Sequence, residues 1–248
     1  MSRPRVPPPL DDWPVAILAG GLATRLRPLT ERLPKALVTV ADEPFLAHQL
    51  RLLRSRGIRR VVLCLGYLGD MVEQHFRDGD QYEMEIEYSF DGPQLLGTGG
   101  ALKHALPMLN RQFFVLYGDS YLPIDYGSVA QAFCDSGKPA LMTVFKNDGR
   151  WDSSNVDFRE KEIRHYDKEN RTEDMHYIDY GLGVLRAEAL ANWPDDRPFD
   201  LADVYRDLTE RKQLAGFEVK QRFYEIGSTE GLAELNSLLR KSPAGFRA

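Results

Sequence analysis

The sequence predicts an α/β fold: a mostly parallel, doubly wound central sheet flanked by helices, with a smaller antiparallel part in its second half. Three observations carry this reading. Apolar runs without alternation at residues 15–19, 58–65, 113–117 and 140–145 read as strands buried on both faces. Segments with apolar residues at helical spacing lie between them, so strand and helix alternate four times before Lys146. Beyond Lys146, short strand-like segments follow one another through polar turns.

The elements follow in order. Val15-Ala16-Ile17-Leu18-Ala19 is the first strand, and Gly20-Gly21 turns the chain out of it. Neither glycine carries a Cβ, so the backbone there can come close to a ligand. Phe45, Leu46, Leu50, Leu52 and Leu53 mark a helix ending at Gly57, and 58–65 is a second strand. Met71, Val72 and Phe76 mark a short helix, and the alternating Glu-Ile-Glu-Tyr-Ser-Phe of 85–90 a half-exposed strand. Asp91-Gly92-Pro93 turns the chain, and Gly97-Thr98-Gly99-Gly100 opens a helix expected to reach Leu109. A strand at 113–117 ends at Gly118-Asp119, and a helix through Val129, Ala132 and Phe133 precedes the strand at 140–145. Segments 155–158, 163–167 and 177–185 read as short strands, 201–211 as a helix, 217–219 and 223–225 as strands. A last amphipathic helix carries Leu232, Leu235, Leu238 and Leu239. No internal repeat interrupts the chain, so one domain at 13–240 is expected between tails at 1–12 and 241–248.

Length and charge bound the function. At 248 residues the chain suffices for one large α/β domain with a substantial core. With 32 basic against 37 acidic residues it lacks a field that would attract nucleic acid or an anionic membrane. The first twelve residues show no signal-peptide core and no apolar run spans a bilayer, so a cytoplasmic protein is expected. Cys64 and Cys134 have no metal spacing and read as two buried thiols. His48, His75 and His104 fall on expected helices as packing or surface residues.

Ligands of an open parallel sheet bind beyond the carboxyl ends of its strands. Four unusual stretches fall there: residues 20–35, Gly66-Tyr67, 97–100 and Gly118-Asp119. In the first, backbone N–H groups at the glycines and the cations Arg25 and Arg27 suit phosphate oxygens. Pro28 and Pro34 stiffen the loop, and Lys35 follows as a point charge on a constrained segment. Taken alone, a Gly-Gly turn with solvated cations is also found in α/β proteins without catalysis. The loop is neither a Walker sequence nor a Gly-x-Gly-x-x-Gly fingerprint, which argues against a nicotinamide oxidoreductase.

The whole string resembles the signature of the sugar-1-phosphate nucleotidylyltransferases, Gly-Gly-x-Gly-Thr-Arg-Leu-x-Pro-x-Thr followed by Pro-Lys. Gly20, Gly21, Thr24, Arg25, Leu26, Pro28, Thr30, Pro34 and Lys35 fit it, and Ala23 stands where the family has glycine. The resemblance extends over roughly residues 14 to 236 and implies a Rossmann-like core. It implies that Gly20, Gly21, Thr24, Gly97 and Thr98 bind the nucleotide while Arg25 and Lys35 act on its phosphates. It also implies that magnesium is held by Asp119, of the family's Gly-Asp element, and by Glu225, where the family has aspartate in Asp-x-Gly-Thr/Ser. For the second substrate it implies Lys168 at the sugar phosphate and Asp179 and Gly181 at the sugar, Asp179 replacing an asparagine. Nucleoside triphosphate and sugar 1-phosphate are the expected partners, with no nucleic acid and no membrane, and an assembly of identical chains is left open. Within the family the compact form is most similar to heptose-1-phosphate guanylyltransferases. N-acetylmuramate-1-phosphate uridylyltransferases are near neighbours, and hexose-1-phosphate uridylyl-, thymidylyl- or cytidylyltransferases are alternatives. A non-catalytic nucleotide-sugar-binding subunit is the rival that Ala23 and Glu225 motivate.

Overall fold

The computed structural model describes residues 8–22, 24–195 and 197–241. Most of both expected tails, residues 1–7 and 242–248, lies outside the described residues, as does Ala23.

Strand β1 (Val15–Leu18) leads into short 3-10 turns at Thr24–Leu26, Leu29–Glu31 and Lys35–Leu37, then a small hairpin of β2 (Thr39–Val40) and β3 (Glu43–Pro44). There follow α1 (Phe45–Ser55), β4 (Arg60–Leu65), α2 (Gly69–Phe76), β5 (Glu85–Phe90), α3 (Gly97–His104) and β6 (Gln112–Tyr117). Next come β7 (Ser120–Tyr121), α4 (Tyr126–Ser136) and β8 (Ala140–Lys146). The second half contributes β9 (Val156–Arg159), β10 (Glu162–Tyr166), β11 (Tyr177–Arg186), α5 (Leu201–Glu210), β12 (Leu214–Val219), β13 (Tyr224–Glu225) and α6 (Thr229–Lys241). The helix expected to reach Leu109 stops at His104, and a 3-10 turn through Pro107 completes the segment. Proline lacks the N–H that an α-helical interior would use.

Among the described residues a single nine-stranded sheet runs β5-β4-β1-β6-β11-β8-β12-β10-β9. The first four strands pair in parallel, as the buried apolar runs require. The expectation of a mostly parallel sheet with a smaller antiparallel part in the second half is corrected beyond β6. Strand β11 returns from the β9–β10 hairpin and enters between β6 and β8, antiparallel to both. Strand β12 then pairs in parallel with β8, and β10 and β9 close the edge antiparallel. The sheet is therefore mixed, and strands of the second half extend the same sheet.

Both faces are covered. Val15 and Ile17 of β1 enter one core with residues of α1, α2 and α4, whereas Ala16 and Leu18 enter the other with residues of α3 and α5. Successive side chains of a strand point to opposite faces, so one short run feeds two cores. A third cluster joins Val38, Phe45 and Leu52 to Ile226, Leu235 and Leu239, which anchors α6 beside the 3-10 turns. Cys64 lies buried in β4, and burial pushes its thiol up to about 12. Cys134, expected to be buried as well, is exposed. It follows Phe133, which fills the inward position on α4, and one residue turns a helix by about 100°.

Candidate active site

The carboxyl ends of β1, β4 and β6 open into a cavity of about 260 Å³. Gly20, Gly21, Lys35, Gly97, Thr98, Gly118 and Asp119 are among the residues that line it. Two glycine positions are dictated by close packing. A Cβ on Gly118 would sit 2.7 Å from the Leu18 carbonyl, where the Gly118 N–H donates to that same oxygen at 3.0 Å. A Cβ on Gly97, where φ is +73°, would sit 2.5 Å from the Phe199 carbonyl. Phe199 and Leu201 hold the start of α3: Gly99 N donates to Phe199 O at 3.0 Å, and Leu201 N donates to the Thr98 hydroxyl at 2.8 Å. The Thr98 oxygen, read from sequence as a nucleotide contact, thus also fastens α3 to α5.

Lys35 is delivered by Pro34, whose backbone is extended (φ −64°, ψ 147°), into the 3-10 turn Lys35–Leu37. Its ammonium reaches the Asp119 carboxylate at 3.0 Å, both side chains being largely covered. Asp119 follows β6 and adjoins β13, because its carbonyl accepts the Ile226 N–H at 2.9 Å and Ser120 pairs with Glu225. Around Gly227 three groups meet. A Cβ there would lie 2.5 Å from Glu225 Oε2, 3.0 Å from Arg25 Nη2 and 3.4 Å from Asp119 Oδ2. Arg25, Asp119 and Glu225, 200 residues apart at the extremes of the sequence, are brought to one point. Thr24 starts the 3-10 turn that carries Arg25, and both are exposed.

The Glu225 carboxylate is held by its own turn, accepting from the Ser228 hydroxyl at 2.7 Å and from the Gly227 N–H. Among the described residues no group of three metal-ligating side chains occurs. Two carboxylates with Arg25 and Lys35 beside them are nevertheless of the donor type that suits a hard cation able to take its remaining oxygens from a ligand and water.

The residues read as acceptor contacts converge on Tyr117, a wall of the same cavity. Lys168 Nζ lies 3.4 Å from the Tyr117 hydroxyl and 3.9 Å from Asp200, and over the Tyr117 ring. Gly181, at φ +97°, leaves a Cβ position 3.1 Å from Ser120 Oγ and 3.5 Å from the Tyr117 ring. A register shift between Asp179 and Gly183 bulges β11 at this place. Asp179 is buried; Oδ1 accepts from Gly181 N at 3.0 Å, while Oδ2 has no hydrogen-bond partner among the described residues. Burial raises its carboxyl above the ordinary range, and Lys168 opposes that rise.

With this geometry in place, likeness to known proteins is informative. The family model for nucleotidyl transferases matches residues 15–161. The chain belongs to the nucleotidyl transferase family. It is accordingly an enzyme of the nucleotidyltransferase class, and its relatives are sugar-1-phosphate nucleotidylyltransferases. It is 26% identical over 215 residues to the D-glycero-α-D-manno-heptose 1-phosphate guanylyltransferase of Campylobacter jejuni, covering 86% of this chain and 94% of that one. It is 28% identical over 224 residues to the N-acetylmuramate α-1-phosphate uridylyltransferase of Caulobacter vibrioides, covering 86% and 91%. Among solved structures, a glucose-1-phosphate thymidylyltransferase assigned in Bacillus anthracis superposes with a TM-score of 0.81 at 19% identity, covering 92% and 95%; this likeness concerns the fold.

In this nucleotidyltransferase, reading the sequence missed two cavity residues, Asp91 and Tyr117. Asp91 carried the signal of a turn, standing before Gly92-Pro93, and Tyr117 that of a strand terminus. Their shared signal was position, each at or just past a strand's carboxyl end. Among the described residues no helix is long and apolar enough to cross a membrane.

Proposed function

We propose that the enzyme transfers a nucleoside monophosphate from a nucleoside triphosphate to a sugar 1-phosphate. The acceptor phosphate oxygen attacks the α-phosphorus in line, the α–β phosphoanhydride bond breaks, and pyrophosphate leaves with the electron pair. The observation that carries this reading is the meeting of Lys35, Asp119, Arg25 and Glu225 beside a glycine-lined cavity, with Lys168 against the Tyr117 side chain that helps line it. Phosphoryl chemistry of this kind needs positioning and charge neutralisation more than covalent help. Arg25 would neutralise the departing pyrophosphate and Lys35 the reacting phosphates. Lys168 would orient the acceptor phosphate, and the Asp179–Gly181 bulge would receive the sugar. Asp119 and Glu225 would hold magnesium, which supplies charge neutralisation at the phosphate oxygens when bound.

Heptose-1-phosphate guanylyl transfer in the cytoplasm, feeding cell-surface polysaccharide, is the favoured substrate pair, supported by the near-full-length relative in Campylobacter jejuni. The Caulobacter relative, matched over the same share of this chain, supports uridylyl transfer to N-acetylmuramate 1-phosphate as the second reading. Purified protein, magnesium, the common nucleoside triphosphates and a panel of sugar 1-phosphates should release pyrophosphate. The reaction should also run backwards from nucleotide sugar and pyrophosphate. Absence of both reactions across the panel would overturn the proposal.

A further inference from the structure

The buried stripe of α1 carries one polar residue, Gln49, to which the proposed chemistry gives no task. It shares the inward face with Leu46, Leu50 and Leu53 and is 1% exposed. A leucine or methionine would fill such a position with no polar group to satisfy. The Gln49 amide instead reaches the loop that leaves β6. Its Nε2 donates to the Ser120 carbonyl at 2.8 Å and to the Tyr117 carbonyl at 3.4 Å. Both neighbours are acceptors, so the amide must turn its NH2 group towards them. Oε1 then has no hydrogen-bond partner among the described residues. A buried amide left half satisfied costs stability, and such a group calls for a reason.

The reason lies in what the two carbonyls flank, which is Gly118 and Asp119. Other elements take the backbone between them. Gly118 N donates to Leu18 O of β1 at 3.0 Å, and Asp119 O accepts from Ile226 N, next to β13, at 2.9 Å. The Asp119 turn is therefore fixed from three sides, by β1, by the segment after Glu225 and by α1. The same helix starts beside Lys35. Phe45 N donates to Val38 O at 2.9 Å, and Val38 N donates to Lys35 O at 3.1 Å. One helix thus ties together the segments that carry Lys35 and Asp119.

We propose that Gln49 is a positioning residue: from beneath the site it fixes the Asp119 carboxylate relative to both Lys35 and Glu225. The proposal rests on the nucleotidyl-transfer reading above and deepens it. Ser120, whose carbonyl Gln49 holds, is the β7 residue paired with Glu225 of β13. Releasing that carbonyl loosens the supports of both carboxylates together. Groups that orient metal-binding side chains in this way matter to metal affinity and rate nearly as the ligands themselves do.

Gln49→Met keeps a side chain of similar length and removes the amide. It should fold, with Tm within about 5 °C of wild type, because losing the hydrogen bonds and losing the orphan oxygen act in opposite directions. In the pyrophosphate-release assay kcat should fall about 10- to 100-fold, and the magnesium concentration for half-maximal rate should rise about tenfold. KM for the nucleoside triphosphate should change less than about threefold, since the Gly20 and Gly97 turns are untouched. Hydrogen exchange read by mass spectrometry needs no substrate: the amides of residues 118–121 should exchange faster in the variant, with β1 and β4 unchanged. If the methionine variant does not fold, Gln49→Asn, whose amide falls one bond short of both carbonyls, is measured in the same way with the same expectation. Unchanged kcat and magnesium dependence overturn the proposal, as does a loss confined to KM. If the wild type transfers no nucleotide to any acceptor, the reading of the reaction fails and exchange alone decides whether Gln49 holds the turn. Unchanged exchange at 118–121 overturns that too.

Discussion

The Lys35 ammonium lies 3.0 Å from the Asp119 carboxylate, joining residues 84 apart in the chain across the mouth of the cavity. One partner comes from the 3-10 turn after Pro34, the other from the loop that leaves β6. The pair places a cation and an acceptor of cations side by side where phosphates would enter. Incoming phosphate oxygens would compete with Asp119 for Lys35 and free the carboxylate for a metal.

Lys35→Ala should lose turnover far more than stability. Removing a charge that strengthens in the transition state costs a factor of about 100 to 1,000 in rate. The lost charge-assisted hydrogen bond is worth about 1 to 3 kcal/mol, and a chain of this length shifts by about 2–4 °C per kcal/mol. Turnover and Tm of the variant should be compared; unchanged turnover would remove Lys35 from the chemistry.

Chelation should abolish activity and added magnesium restore it. Asp119→Asn should be more damaging than Glu225→Asp, because Glu225 is already engaged by Gly227 and Ser228 of its own turn. Rates titrated with magnesium distinguish the two variants. Full activity in excess chelator contradicts a metal-assisted reaction.

Gly227→Ala should disable the site without unfolding the protein. The new methyl would overlap Glu225 Oε2 at 2.5 Å and crowd Arg25 Nη2 at 3.0 Å, displacing both at once. A misplacement of about 1 Å can cost on the order of 100-fold in rate. Circular dichroism should match wild type while kcat falls. A fully active variant would show that Arg25 and Glu225 are not held in a working arrangement there.

Asp179→Asn should stabilise the fold at neutral pH. Burial holds the Asp179 carboxyl above its ordinary range, so the folded chain keeps a proton that the unfolded chain gives up. Stability therefore falls as pH rises from the unfolded value of about 3.9 through the raised folded value, and the deficit is complete above it. Asparagine carries no charge to bury, so its gain in Tm should be full at neutral pH and shrink as pH falls through that window. Paired melts from pH 4 to 8 measure it. A variant less stable than wild type at pH 7.5 would show that the charge is better accommodated than its burial implies.

Much of this protein was settled by local pattern. The apolar runs of β1, β4, β6 and β8 and the helical spacings of α1, α4, α5 and α6 are short-range signals, readable because burial imposes a period on each segment separately. The loop around Gly20 to Lys35 named its family from residue order alone, and the match at residues 15–161 agrees. What the sequence left open are relations between distant segments. That β11 enters between β6 and β8 is a matter of which strand edge is free when the chain returns, and apolar content is the same for either neighbour. That Arg25, Asp119 and Glu225 meet at Gly227 depends on β13 pairing with β7, two residues long on each side and too short to leave a period. Asp91 looked like a turn residue and stands on the cavity wall; Cys134 looked buried and faces solvent. In each case the residue type was visible in the chain, and its surroundings were created only by packing.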